Sequence, residues 1–382
     1  MRQDVLEQFP RDQGGMQALR IKSRDLQNNA GLYAAPKREE ATISLHLNEN
    51  LFHEAALANI HCSGESNLHR EILGSYPDNL LADSVSARFS IPRTSVTTAP
   101  GSSAALRAIF SYLLGAGDVV LLPSPSWSFY AATAALVHAR VSQYKLAEAA
   151  TGYSYDLNAI ERAINSHGPR VVLICSPNNP TGNSISSPAL GDLVRRHPQV
   201  DFIVDQAYYG FIESRDADSL LDLACRVSNL YVIRTFSKFY ALANLRLGYV
   251  ICNKDCSKQL AGMLDPFGLP TFSQHIASGR LKDVAFASAI KGAFLDARDY
   301  LIAHFRHVPS VRVYDTDANF MLFRFSPAWP DVPRLLQSKG FLVKRESIDP
   351  AFQFVRLTIA DTITLRQVVS ILSSVEPVHH ES

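Results

Sequence analysis

Four short runs hold most of the reactive side chains, and they follow one another at the ends of predicted strands. Ser176-Pro177-Asn178-Asn179-Pro180-Thr181-Gly182 supplies amides and hydroxyls. Asp205-Gln206-Ala207-Tyr208 supplies a carboxylate and a phenol. Thr235-Phe236-Ser237-Lys238 supplies two hydroxyls and an amine, and Arg246 follows that amine by eight residues, ahead of Leu247-Gly248-Tyr249. An amine acts as nucleophile or proton carrier near neutrality only if burial and nearby cations pull its pKa down. Gly101-Ser102-Ser103 opens a helix, where backbone N–H groups and the macrodipole favour an anion. Each feature alone is weak: Asn-Pro-Thr-Gly is an ordinary turn, Asp205 could be a helix N-cap, and a lysine after serine is most often solvated. Their conjunction at successive strand ends points to one site.

The elements that must position these groups are short apolar runs alternating with helical stretches. Strands are predicted at Ser95 to Ala99, Asp118 to Leu122, Arg170 to Cys175, Asp201 to Asp205, Leu230 to Thr235 and Leu247 to Cys252. Continuous apolar strands separated by helices predict an α/β sheet with parallel elements covered on both faces, with ligands at the carboxyl ends. After about residue 275 the character changes. A helical stretch from Gln274 to Arg306 precedes strands at Val311 to Val313, Asn319 to Phe325, Phe341 to Lys344 and Gln353 to Ile359. That predicts a smaller α+β domain, completed by the N-terminal part of the chain. The expected division is an arm or lid over 1–45, a first piece of the small domain over 46–70, a large domain over 71–275 and the rest of the small domain over 276–382.

Composition narrows the class. The chain has 382 residues, 47% of them apolar, and a formal net charge of +1. That balance, without a long basic run, gives no reason to expect nucleic acid or an anionic membrane as partner. The five cysteines form no CxxC pair and no metal spacing, so no metal is expected and reduced thiols in a cytoplasmic protein are. No stretch reads as a signal peptide or a membrane span.

The motifs resemble those of class I/II aminotransferases of fold type I, and most closely the histidinol-phosphate aminotransferase branch. The resemblance runs from about Leu47 to the C-terminus. Besides the runs above it includes Leu47-Asn48-Glu49-Asn50, Tyr76-Pro77, Ala318-Asn319-Phe320 and Val355-Arg356-Leu357-Thr358. It implies a mostly parallel seven-stranded sheet between helices and pyridoxal 5'-phosphate as cofactor. Lys238 would carry the cofactor as a Schiff base and move the reacting proton. Asp205 would keep the pyridine nitrogen protonated, and so set the strength of the electron sink. Tyr208 and Asn179 would hydrogen-bond the 3'-oxygen. Ser102, Ser103, Thr235, Ser237 and Arg246 would form the phosphate cup, and Trp127 would stack on the ring. Tyr76 would reach the phosphate of the neighbouring subunit in a homodimer. Arg356 would fork onto the substrate carboxylate, with Asn179, Asn50 and Lys344 as further substrate contacts.

The pattern also departs from that branch. Lys344, followed by Arg345, stands where an arginine helps hold the substrate phosphate, and an ammonium does not reproduce a guanidinium fork. Leu51 stands where proline is usual, and about forty residues precede the first matching motif. The expected activity is amino transfer between an amino acid such as glutamate and a keto acid or imidazole-acetol-phosphate-type acceptor. The alternative on the same cofactor is decarboxylation of the threonine-phosphate type, or oxidation or cyclisation of an amino acid. A cofactor-sensing regulator would need a DNA-binding module, for which residues 1–45 are too few and too irregular.

Overall fold

A computed structural model describes residues 43–49, 51–52, 77–211 and 218–375. The chain enters as a two-residue strand, Ile43–Ser44 (β1). It then lays down Val96–Ala99 (β2), Val119–Ser124 (β3), Arg140–Lys145 (β4), a small hairpin of Ala147–Glu148 (β5) and Tyr153–Ser154 (β6), Val171–Cys175 (β7), Asp201–Asp205 (β8), Leu230–Thr235 (β9) and Gly248–Ile251 (β10). Seven of these form one sheet in the order β2-β10-β9-β8-β7-β3-β4, parallel except that β10 runs against both its neighbours.

Every residue of β7, β8 and β9 is buried. The two faces separate by alternation: Phe202 and Val204 pack with Leu190 and Leu193 on one side, and Ile203 packs with Ile109 and Phe110 on the other. That double burial is why these strands read as uninterrupted apolar runs. The edge strand β4 has no counterpart among the strands expected from the sequence. Only Tyr144 is buried within it, and its polar, charged sequence suits an edge that must not pair further.

The expected long helix is two helices, Thr271–Lys282 and Val284–Phe305. Asp283 lies between them, and its Oδ1 accepts from Phe286 N at 2.9 Å, a cap that starts a new helix where periodicity alone reads through. A second, antiparallel sheet follows: Val311–Val313 (β11), Phe320–Phe325 (β12), Lys344–Glu346 (β14) and Gln353–Thr358 (β15), in the order β11-β12-β15-β14. The strand expected over Phe341 to Lys344 is divided. Phe341–Leu342 (β13) pairs in parallel with β1, whereas β14 pairs with β15, setting Lys344 opposite Arg356.

Residues 43–49 thereby strap across the small sheet. Thr358 N donates to Leu45 O at 2.8 Å. Asn319 Nδ2 donates to Asn48 O and Glu49 O at 3.2 and 3.1 Å. These bonds fix the backbone of Leu47, Asn48 and Glu49 beside the carboxyl ends of the main sheet.

Candidate active site

Asp205 ends β8 and is buried. Its Oδ2 accepts from Tyr130 Oη at 2.8 Å and its Oδ1 from Ala207 N at 3.0 Å. Burial pushes its pKa up to about 6, against the opposing pull of those two donors and of Lys238. A carboxylate so placed is matched by a protonated ring nitrogen, which would supply the missing positive charge.

Lys238 follows β9 and donates from Nζ to Leu47 O at 2.8 Å. Burial, with Arg356 and Arg246 adding repulsion, brings its pKa down to about 8 although Glu49 and Asp205 oppose the shift. Burial and nearby cations, the two requirements for a working amine, are both present.

Around the start of helix Ser102–Leu113 lie the groups expected to hold a phosphate. Ser237 N and Thr235 Oγ1 are 3.1 Å apart, Thr235 Oγ1 donates to Ser237 Oγ at 3.0 Å, and Arg246 Nη1 donates to that same Oγ at 3.2 Å. The helix is entered through Gly101 at φ +82, where a Cβ would fall 2.6 Å from Arg246 Nη2. The positive φ favours glycine there, and the missing Cβ leaves the Arg246 guanidinium its place beside Gly101.

Tyr208 lies opposite. Its Oη accepts from Asn179 Nδ2 at 3.3 Å and from Asn48 Nδ2 at 3.0 Å, and burial pushes its pKa up. Asn179 Oδ1 in turn accepts from Arg356 Nη1, and Arg356 Nη2 donates to His46 O at 2.9 Å. Tyr208, Asn179 and Arg356 thus form one hydrogen-bonded chain, to which Lys238 and Asp205 are coupled by charge.

Trp127 sits beside it, stacked on Phe129 with centroids 4.6 Å apart and edge-on to Tyr130 at 5.4 Å. Lys344 is exposed, and Arg345 pairs with Asp331 instead of turning to the site. Tyr76 and Asn50 lie outside the described residues.

Three participants carry little or no signal in the sequence. Tyr130 holds Asp205, and its only signal is its place three residues after Trp127. Asn48 reaches Tyr208 from a run that was noted for Asn50. Glu346 lies 3.2 Å from Arg356, and no sequence signal marks it.

The family described as aminotransferase class I and II matches residues 43–372. The histidinol-phosphate aminotransferase of Bacillus subtilis (strain 168) is 30% identical over 315 residues, covering 81% of this chain and 86% of that one. Among solved structures, histidinol-phosphate aminotransferase from Sinorhizobium meliloti in complex with pyridoxal-5'-phosphate superposes with a TM-score of 0.77 at 18% identity, over 97% of this chain and 99% of that one. L-threonine-O-3-phosphate decarboxylase from Porphyromonas gingivalis gives 0.69 at 19% identity, over 87% and 98%. The chain therefore belongs to the class I and II aminotransferases, fold-type-I enzymes that depend on pyridoxal 5'-phosphate. The buried carboxylate, the amine of lowered pKa and the Gly101 cradle all suit that cofactor.

Proposed function

We propose that this protein transfers an amino group between an α-amino acid and a keto acid or imidazole-acetol-phosphate-type acceptor, in the manner of the histidinol-phosphate aminotransferase branch. The observation that carries the reading is the Lys238 amine, held by Leu47 O at 2.8 Å, in a site that also contains the buried Asp205 and the Arg356 guanidinium. Pyridoxal phosphate supplies, when bound, a sink for the electron pair left when a bond at the substrate Cα breaks. Asp205 would hold a proton on the ring nitrogen, with Tyr130 fixing its carboxylate. Tyr208 and Asn179 would bind the 3'-oxygen, Trp127 would cover the ring, and Ser102, Ser103, Thr235, Ser237 and Arg246 would hold the phosphate. Lys238 Nζ would take the proton from the substrate Cα and hand it on within the site. Arg356 holds the substrate carboxylate, and so fixes which Cα bond is broken.

The proposal includes a large domain over 71–275 and a small one made of 46–70 and 276–382, in a homodimer where the partner subunit's Tyr76 reaches the phosphate. The test is incubation of the holoenzyme with an amino donor alone. Release of about one keto acid per subunit, without acceptor, is the outcome of a two-stage exchange cycle. Carbon dioxide in place of keto acid is the outcome of the decarboxylase reading, which the likeness to the Porphyromonas gingivalis enzyme keeps in view. A Lys238→Ala enzyme that still releases keto acid would sink the assignment of the lysine.

A further inference from the structure

Arg356, the group read above as the carboxylate anchor, already faces an anion of its own chain. Glu346, the last residue of β14, places Oε1 3.2 Å from Arg356 Nη1, and both side chains are largely withdrawn from solvent, at 17% and 8% exposure. The ion pair is poorly satisfied. Among the described residues Glu346 Oε1 is fully shielded and accepts no hydrogen bond, and Arg356 Nε has no partner. The same Nη1 also donates to Asn179 Oδ1, and Nη2 donates to His46 O. Burial pushes the Glu346 carboxyl up, while Arg356 and Lys344 pull it down. Lys344 is exposed, so its charge is well solvated and offsets little.

An incoming substrate carboxylate must share Arg356 with this resident carboxylate. The cluster then holds one guanidinium against two carboxylates in a buried place, an excess of negative charge that is costly there. A substrate whose second polar group is a cation removes the excess. A phosphate or second carboxylate near the same point increases it.

We propose that Glu346 is a specificity-determining residue, the resident counter-ion of Arg356, which selects substrates bearing a carboxylate and a distal cationic group over those bearing a distal anion. The inference rests on the proposed role of Arg356 but not on which bond the enzyme breaks. It sets a distal amine or amidine above the distal carboxylate of glutamate or the phosphate of histidinol phosphate.

The test uses the pyridoxamine-phosphate form of the holoenzyme, which has no imine for an amine to attack, and two five-carbon ligands, glutarate and 5-aminopentanoate, which share one carboxylate and differ in the charge at the other end. Calorimetric titration of the wild type is expected to give 5-aminopentanoate the tighter binding by about tenfold or more. Glu346→Gln is expected to abolish or reverse that order, chiefly by tightening glutarate, and Glu346→Asp to keep it. Cofactor content, read from absorbance, establishes that each variant is folded. Equal or tighter binding of glutarate by the wild type, a common shift of both affinities in Glu346→Gln, or binding of neither ligand would each overturn the proposal. The keto-acid assay is read separately, so failure of the proposed reaction leaves this result standing.

Discussion

The two halves of the site are built differently. At the carboxyl ends of the main sheet, Asp205, Thr235, Ser237 and Lys238 lie within a few residues of strands β8 and β9, and each is placed by the strand that precedes it. On the small sheet, Arg356 takes its place only because residues from four distant segments meet: His46 from the strap, Asn179 from the turn after β7, Phe320 from β12 and Glu346 from β14. The first half presents a short, rigid set of groups suited to one cofactor. The second is a composite of groups from separate segments, with the Glu346 carboxylate 3.2 Å from the Arg356 guanidinium. Such a division allows one chemistry to be kept while substrates change.

The largest expected effect lies in the first half. Lys238→Ala should lower the rate of keto-acid release by about 10⁴-fold, measured in single turnovers, since the proton carrier is removed. In the second half, Arg356→Ala should act mainly on binding, raising KM for carboxylate substrates by about 100-fold (a charge-assisted pair is worth about 3 kcal/mol) with a smaller change in kcat. A fall in kcat with KM unchanged would mean that Arg356 works only in the transition state, and the division between the halves would blur.

Stability of the cofactor-free protein sharpens the comparison from another side. The folded pKa of Asp205, about 6, is above the ordinary aspartate value of 3.8, so its ionisation favours the unfolded chain. Stability is then greatest when the group is protonated in both states, and falls as pH rises from about 4 to about 6. The expected loss is about 3 kcal/mol at most, since a tenfold difference in proton affinity between the two states corresponds to about 1.4 kcal/mol. Cofactor-free Asp205→Asn should lack this loss and melt above the wild type at pH 8, by thermal denaturation, while its holoenzyme loses activity. The smallest effect is expected from Tyr130→Phe. The tyrosine's hydrogen bond lowers the pKa of Asp205, so its removal raises that pKa and moves the acid limb of the rate profile to higher pH, by about a unit or less. An unmoved limb would show that the acid limb does not report on Asp205.

Legibility follows the same division. The cofactor-side residues can be picked out because each sits at the end of a doubly buried strand, and such strands announce themselves as continuous apolar runs: Val171–Cys175, Asp201–Asp205, Leu230–Thr235. β4 escapes because an exposed edge strand has no such run, and the helix break at Asp283 because one capping side chain does not disturb apolar periodicity. Arg356 is identified through family resemblance and Asn48 only as a neighbour of Asn50 in its motif, whereas Tyr130 and Glu346 are not identified.

What the sequence determined by itself was the α/β architecture and the order of the strand-end motifs, because those are set by local burial and by residues close in the chain; the cofactor came through the family resemblance those motifs carry. Only the tertiary structure decided that the backbone of Leu47 meets Lys238, that Asn48 and Asn179 converge on Tyr208, and that Arg356 has a carboxylate beside it. The physical reason is that these contacts depend on how two sheets and a strap pack together, and no local pattern in the chain records that packing.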